Sequence, residues 1–61
     1  MSDALLDIKK VKDKVSMGTT KIYGLIKDGH FPKQIKVGRD SLWSEAEIDK
    51  WIEKQKQNRA A

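Results

Sequence analysis

Few side chains in this sequence could do covalent or metal chemistry, and their spacing argues against it. His30 is the one histidine. It stands without a cluster of histidine, cysteine or carboxylate at ligand spacing, so a metal centre is not expected. There is no cysteine, which removes disulfides, thiolate ligands and cysteine nucleophiles. Glu45 and Glu47 are close enough in sequence to suggest paired carboxylates, but helix capping and the helix dipole account for both. No nucleophile stands beside a base, and no glycine-rich phosphate cradle is present. The residues imply neither an enzyme nor a bound cofactor, and no small-molecule ligand is expected.

The chemistry that the sequence does support is electrostatic. The net charge is +4 over 61 residues, and it is unevenly spread. Residues 9–39 hold eight lysines and Arg39 against Asp13 and Asp28, a net of +7. The segments on either side are slightly acidic. Such asymmetry points to a polyanion partner. A solvated lysine-rich surface is the competing reading, and charge alone does not separate the two.

What separates them is how the chain positions those cations. Sixty-one residues allow one domain, 1–61, with an ordered core over about 6–57. A domain of this size buries only about 60% of its unfolded surface, so the aromatic residues must carry much of the core. Asp7 is a candidate N-cap for a helix over Ile8–Lys14, with Ile8, Val11 and Val15 at helical spacing. Ser16-Met17-Gly18 breaks that pattern. A second helix is expected over Thr19–Lys27, buried through Ile22, Leu25 and Ile26 and stopped by Gly29, with Phe31 folding back onto the same face. Ile35 and Val37 alternate with polar Gln34 and Lys36. Two short strands, Gln34–Val37 and Ser41–Trp43, therefore form a hairpin turning at Gly38-Arg39-Asp40. Ser44-Glu45-Ala46-Glu47 is a capping box, with Trp43 and Ile48 as its staple. The helix after it buries Ile48, Trp51 and Ile52, and both tryptophans are expected in the core. Its tail frays from about Asn58. The fold class is mostly α with a small β-hairpin. The order of helix, tight turn, helix, hairpin and helix is that of a winged helix-turn-helix.

The residues Met17–Tyr23, Asp28-Gly29-His30-Phe31-Pro32-Lys33, Lys36–Arg39, Trp43-Ser44 and Ile48–Ile52 resemble the AlpA-type regulators of phages and prophages. That family is close to phage excisionases and more distantly related to the MerR-type DNA-binding domain. The resemblance covers about residues 6 to 53. It implies that the second helix, 19–28, enters the major groove of double-stranded DNA, and that the wing, 35–43, touches the backbone or the minor groove. It also implies a transcription factor, or an excisionase-like factor that directs recombination, working in the bacterial cytoplasm on the nucleoid. The sequence departs from the family at three places. Ser16 stands where Gly is usual, Gly18 where Ser is usual, and Gly24 where Arg is frequent.

On a helical wheel centred on Ile22, the face away from the core holds Thr20, Gly24 and Lys27, flanked by Lys21 and Tyr23. A recognition helix reads base edges with its N-terminal residues. Thr20 and Tyr23 are therefore candidates for base contact, Lys21, Lys27 and Lys36 for phosphates, and Thr19 is a further DNA-binding candidate at the helix start. Gly24 would let the backbone approach the groove. Arg39, at the wing tip after Gly38, could enter a minor groove or fork onto a phosphate. The plainer alternatives are a half-buried packing role for Tyr23 and solvated lysines elsewhere. Trp43 and Trp51 are read as core, not as stacking platforms for nucleobases. An integrase, or self-association on DNA, is the expected protein partner. The alternative reading is a protein-interaction module that inhibits or recruits an integrase or a response regulator, since fold does not fix function. RNA is disfavoured, because no platform of adjacent aromatics is present. No apolar run approaches the roughly 20 residues of a membrane span, and the acidic start, Met1–Asp7, lacks the pattern of a signal peptide. No membrane partner is expected.

Overall fold

The computed structural model describes residues 3–59. In chain order they form β1 (Leu5–Leu6), α1 (Ile8–Val15), α2 (Thr19–Lys27), β2 (Ile35–Val37), β3 (Asp40–Ser44) and α3 (Glu45–Asn58). Three helices and a small antiparallel sheet, in the order helix, turn, helix, hairpin, helix, are the expected winged helix-turn-helix class. The frayed tail expected after Asn58 falls in part on residues 60–61, outside the described residues.

Local chemistry explains the boundaries. The Asp7 carboxylate accepts from the Lys10 backbone N–H at 3.0 Å and starts α1. Ser16 ends that helix in the left-handed region, at φ 56° and ψ 40°, and its N–H reaches the Lys12 carbonyl at 2.8 Å. After Met17 and Gly18, α2 begins, and it ends in a Schellman motif. The Gly29 N–H donates to the Ile26 carbonyl and the His30 N–H to the Leu25 carbonyl, with Gly29 at φ 79° as that motif requires. The β2–β3 register pairs Val37 with Asp40, so the turn has two central residues. Gly38 holds φ 62° while Arg39 stays at negative φ, the arrangement of a type II′ hairpin turn.

The sequence suggests a hairpin alone, and the sheet has a third strand. β1 pairs antiparallel with β3, Leu5 opposite Ser44 and Leu6 opposite Trp43, giving the order β1-β3-β2. Two residues are too few to show a period of two, which is why sequence reasoning passes over β1.

The core is Leu6, Val11, Ile22, Phe31, Trp43 and Ile48. Each of β1, α1, α2, β3 and α3 gives it one side chain, the α2–β2 connection gives Phe31, and β2 gives none. On β2, Ile35 and Val37 are 41% and 49% exposed. Burial along β3 rises from exposed Asp40 to buried Trp43 and Ser44, so the hairpin leaves the core at its base and carries Gly38-Arg39 outward. The tryptophans differ from the expectation that both lie in the core. Trp43 is fully buried, whereas Trp51 is only half-buried and packs on the core from outside. Both indoles pin the same connection: Trp43 Nε1 donates to the Pro32 carbonyl at 3.1 Å, and Trp51 Nε1 to the His30 carbonyl at 2.7 Å. Phe31, between those carbonyls, meets Trp51 edge-on with ring centroids 4.8 Å apart.

Half of the expected capping box is present. Ser44 Oγ accepts from the Glu47 N–H at 3.2 Å. Two further acceptors at the start of α3 come from far away in sequence: the Ala4 carbonyl accepts from the Glu45 N–H at 2.8 Å, and the Asp3 carboxylate accepts from the Ala46 N–H at 3.0 Å and from the Ser44 hydroxyl. These hydrogen bonds, first the one from Ser44 and then the one from Ala46, hold the Asp3 carboxyl below its ordinary pKa of 3.8.

Candidate nucleic-acid interface

α1 and α2 are joined by three residues, Ser16-Met17-Gly18, and this short turn fixes which face of α2 is free. Ile22 turns inward and is fully buried, with Leu25 and Ile26 half-buried beside it. At about 100° per residue, Thr20, Gly24 and Lys27 then point away from the core, and all three are exposed. Thr19 and Lys21 are exposed as well. Tyr23 does two things: its ring meets Trp43 edge-on at 6.1 Å between centroids, and the residue remains 37% exposed. The packing role weighed for Tyr23 is therefore real, and it leaves part of the side chain on the surface.

Gly24 has no structural reason to be glycine. Its φ is not positive, and a Cβ built there would meet nothing within 4 Å. The start of α2 is unusual too. α1 and α3 are capped by the side chains of Asp7 and Ser44, whereas the N-cap of α2 is Gly18, with no side-chain cap. A helix start without a side-chain cap leaves backbone N–H groups and the positive end of the dipole open.

The cations divide into paired and unpaired sets. Lys14 of α1 bonds Glu45 at 3.2 Å and Asp49 at 2.7 Å, both on α3. The hydrogen bond to Asp49, then the one to Glu45, raises the Lys14 pKa above its ordinary value. Lys56 pairs with Glu53 at 3.2 Å. Among the described residues Lys21, Lys27, Lys36 and Arg39 join no ion pair. The acids of α3 thus hold one cation of α1, Lys14, while Lys9, Lys10 and Lys12 of α1, like the cations of α2 and the hairpin, join no ion pair among the described residues. Lys36 and Arg39 are exposed, on the strand and the tip of the hairpin.

The family model for the prophage CP4-57 regulatory protein (AlpA) matches residues 4–56. The chain belongs to the AlpA family. No curated protein matches it. The match takes in every described element of this AlpA-family chain, from β1 to nearly the end of α3, and it makes the chain one of a family of prophage regulators. Among the described residues of the AlpA domain, no helix is long and apolar enough to cross a membrane.

The interface residues read from the sequence occupy two places on one chain, the outward face of α2 and the hairpin. Lys21 stands somewhat apart, on the α3 side of α2. What sequence reasoning missed is the open N-terminus of α2. The signal was there: no Ser, Thr, Asp or Asn stands at position 18.

Proposed function

We propose that this protein is a double-stranded DNA-binding regulator of the prophage type, with α2 as its recognition helix and the β2–β3 hairpin as a wing. The observation that carries the reading is the outward face of α2. An exposed glycine sits mid-helix at a place where the fold asks for none, between Thr20 and Lys27, on a helix whose start has no side-chain cap. Glycine costs about 1 kcal/mol relative to alanine in a helix interior. A close approach of the backbone to another surface gives that cost a purpose, and the unpaired cations identify the surface as anionic. In the major groove, Thr20 and Tyr23 offer hydroxyls and apolar contact to base edges. Lys27 and the open amides at the start of α2 meet phosphates. Arg39 reaches the backbone or the minor groove from the hairpin tip. Control of transcription and direction of excision both require this duplex contact.

The test is Gly24→Ala, followed by thermal melting and by titration of duplex DNA from the prophage's own regulatory region. Melting should rise by about 4–8 °C, from roughly 1 kcal/mol in a domain of this size, while affinity for the duplex falls. A variant that melts higher and binds as well as the parent would sink the placement of position 24 against the bases.

A further inference from the structure

We propose that the groove between α2 and α3 is a second binding site, for an acidic protein segment that inserts a leucine or phenylalanine side chain. The groove has a volume of about 830 Å³, within the range of pockets that bury the apolar part of a ligand. Its floor is made by Met17, Leu25, Phe31 and Trp51. Phe31 is buried, but Met17, Leu25 and Trp51 are only half-buried, so the fold leaves an apolar surface open where core and solvent meet. Around that floor stand Lys21, Lys50 and Lys54, with Glu47 as the single acid. All three lysines are exposed and join no ion pair among the described residues.

An apolar floor inside a cationic rim selects an occupant with both characters. A DNA duplex supplies phosphates to the rim but, thymine methyls aside, has no apolar group to enter the floor. A single strand could bring bases, yet stacking platforms use successive open aromatic faces. Here the two rings are engaged edge-on with each other, and the Trp51 N–H is held by the His30 carbonyl. A protein segment with an apolar anchor flanked by Asp and Glu satisfies floor and rim together, the mode in which an amphipathic helix lies in a groove. The site lies on the Leu25 side of α2, turned away from Thr20 and Lys27, so such a partner can be held while the outward face of α2 is occupied.

The two indoles provide the experiment. In the 15N-labelled full chain, the Trp51 indole N–H resonance reports on the groove and that of Trp43 on the core. The probe is a synthetic twelve-residue peptide with Leu and Phe four positions apart, Glu or Asp on either side of each, and Ala elsewhere to favour a helix. The peptide should move the Trp51 resonance saturably and leave that of Trp43 in place. Lys50→Gln combined with Lys54→Gln should weaken this binding about tenfold while duplex affinity, compared at a salt concentration that screens distant charges, stays as it is. Three results would each overturn the proposal: no movement of Trp51, equal movement by the same peptide with Lys at its acidic positions, or equal movement by oligothymidylate. A matching loss of duplex affinity in the lysine variant would overturn it as well, by assigning the groove to the DNA surface. Duplex binding by the parent chain is measured separately, so failure of the groove and failure of the DNA reading remain distinct.

Discussion

Ser16 holds a backbone conformation that L-residues avoid. Its φ of 56° and ψ of 40° place Cβ close to the following carbonyl, at a cost of roughly 1–2 kcal/mol for a residue other than glycine. Glycine relieves this and loses part of the gain to greater freedom in the unfolded chain. Ser16→Gly should therefore raise stability by roughly 0.5–1 kcal/mol, a melting shift of a few degrees measurable by circular dichroism; an unchanged or lower melting point would contradict the left-handed cap. Asp3 makes a prediction in pH. Its folded pKa is depressed by the hydrogen bonds from Ser44 and Ala46, so its contribution is fully present above the unfolded value near 3.8 and is lost as pH falls through the lower folded value. Asp3→Asn should be less stable than the parent at neutral pH, with the gap in melting temperature closing as the solution is acidified below about pH 4. A gap that stays constant down to pH 2 would mean that the carboxylate does not cap α3.

At the scale of elements, legibility follows how local each signal is. The boundaries of α1 and α2 and the start of α3 are written in neighbouring residues: Asp7 before Ile8, Gly29 after Lys27, Ser44 three before Glu47. The hairpin is equally local, because Gly38 sets the turn. β1 is not legible, since two leucines become a strand only by pairing with Ser44 and Trp43 nearly forty residues on. The role of Asp3 is hidden for the same reason. Alternation identifies the strand β2, but a period of two shows only that two faces differ and does not say that either is covered. Of the candidate interface, the outward face of α2 follows from its helical period, while the separation of free from paired cations depends on how α1 packs beside α3. The tryptophans test this account of packing. Trp43→Ala opens a cavity in the centre of the core, at about 3–5 kcal/mol. That is comparable to the roughly 3–5 kcal/mol a core of this size supplies, so the variant should not show a cooperative melt. Trp51→Ala removes a half-buried ring and should lower the melting temperature yet keep cooperativity. The reverse order would move the centre of the core onto α3.

For the molecule as a whole, the arrangement of charge determines what salt does to binding. Each phosphate neutralised by a cation releases condensed counterions, so affinity falls with salt in proportion to the number of contacts. On the proposed interface the unpaired cations are those of α2 and the hairpin, supplemented by the amides at the uncapped start of α2. About four to six phosphate contacts would give a slope of log K against log salt of roughly −3 to −5. Lys27→Ala and Arg39→Ala should each flatten that slope by about one unit and leave the melting temperature nearly unchanged, because neither side chain is buried or ion-paired. Lys14 is the internal control. It carries the same charge, but Glu45 and Asp49 hold it, so Lys14→Ala should leave the slope as it is. Fluorescence anisotropy of a labelled duplex at several salt concentrations reads all three variants. If Lys14→Ala flattens the slope as much as Lys27→Ala does, the duplex follows total charge and not the face of α2. Binding would then be non-specific attraction to a basic domain, with no dedicated recognition helix.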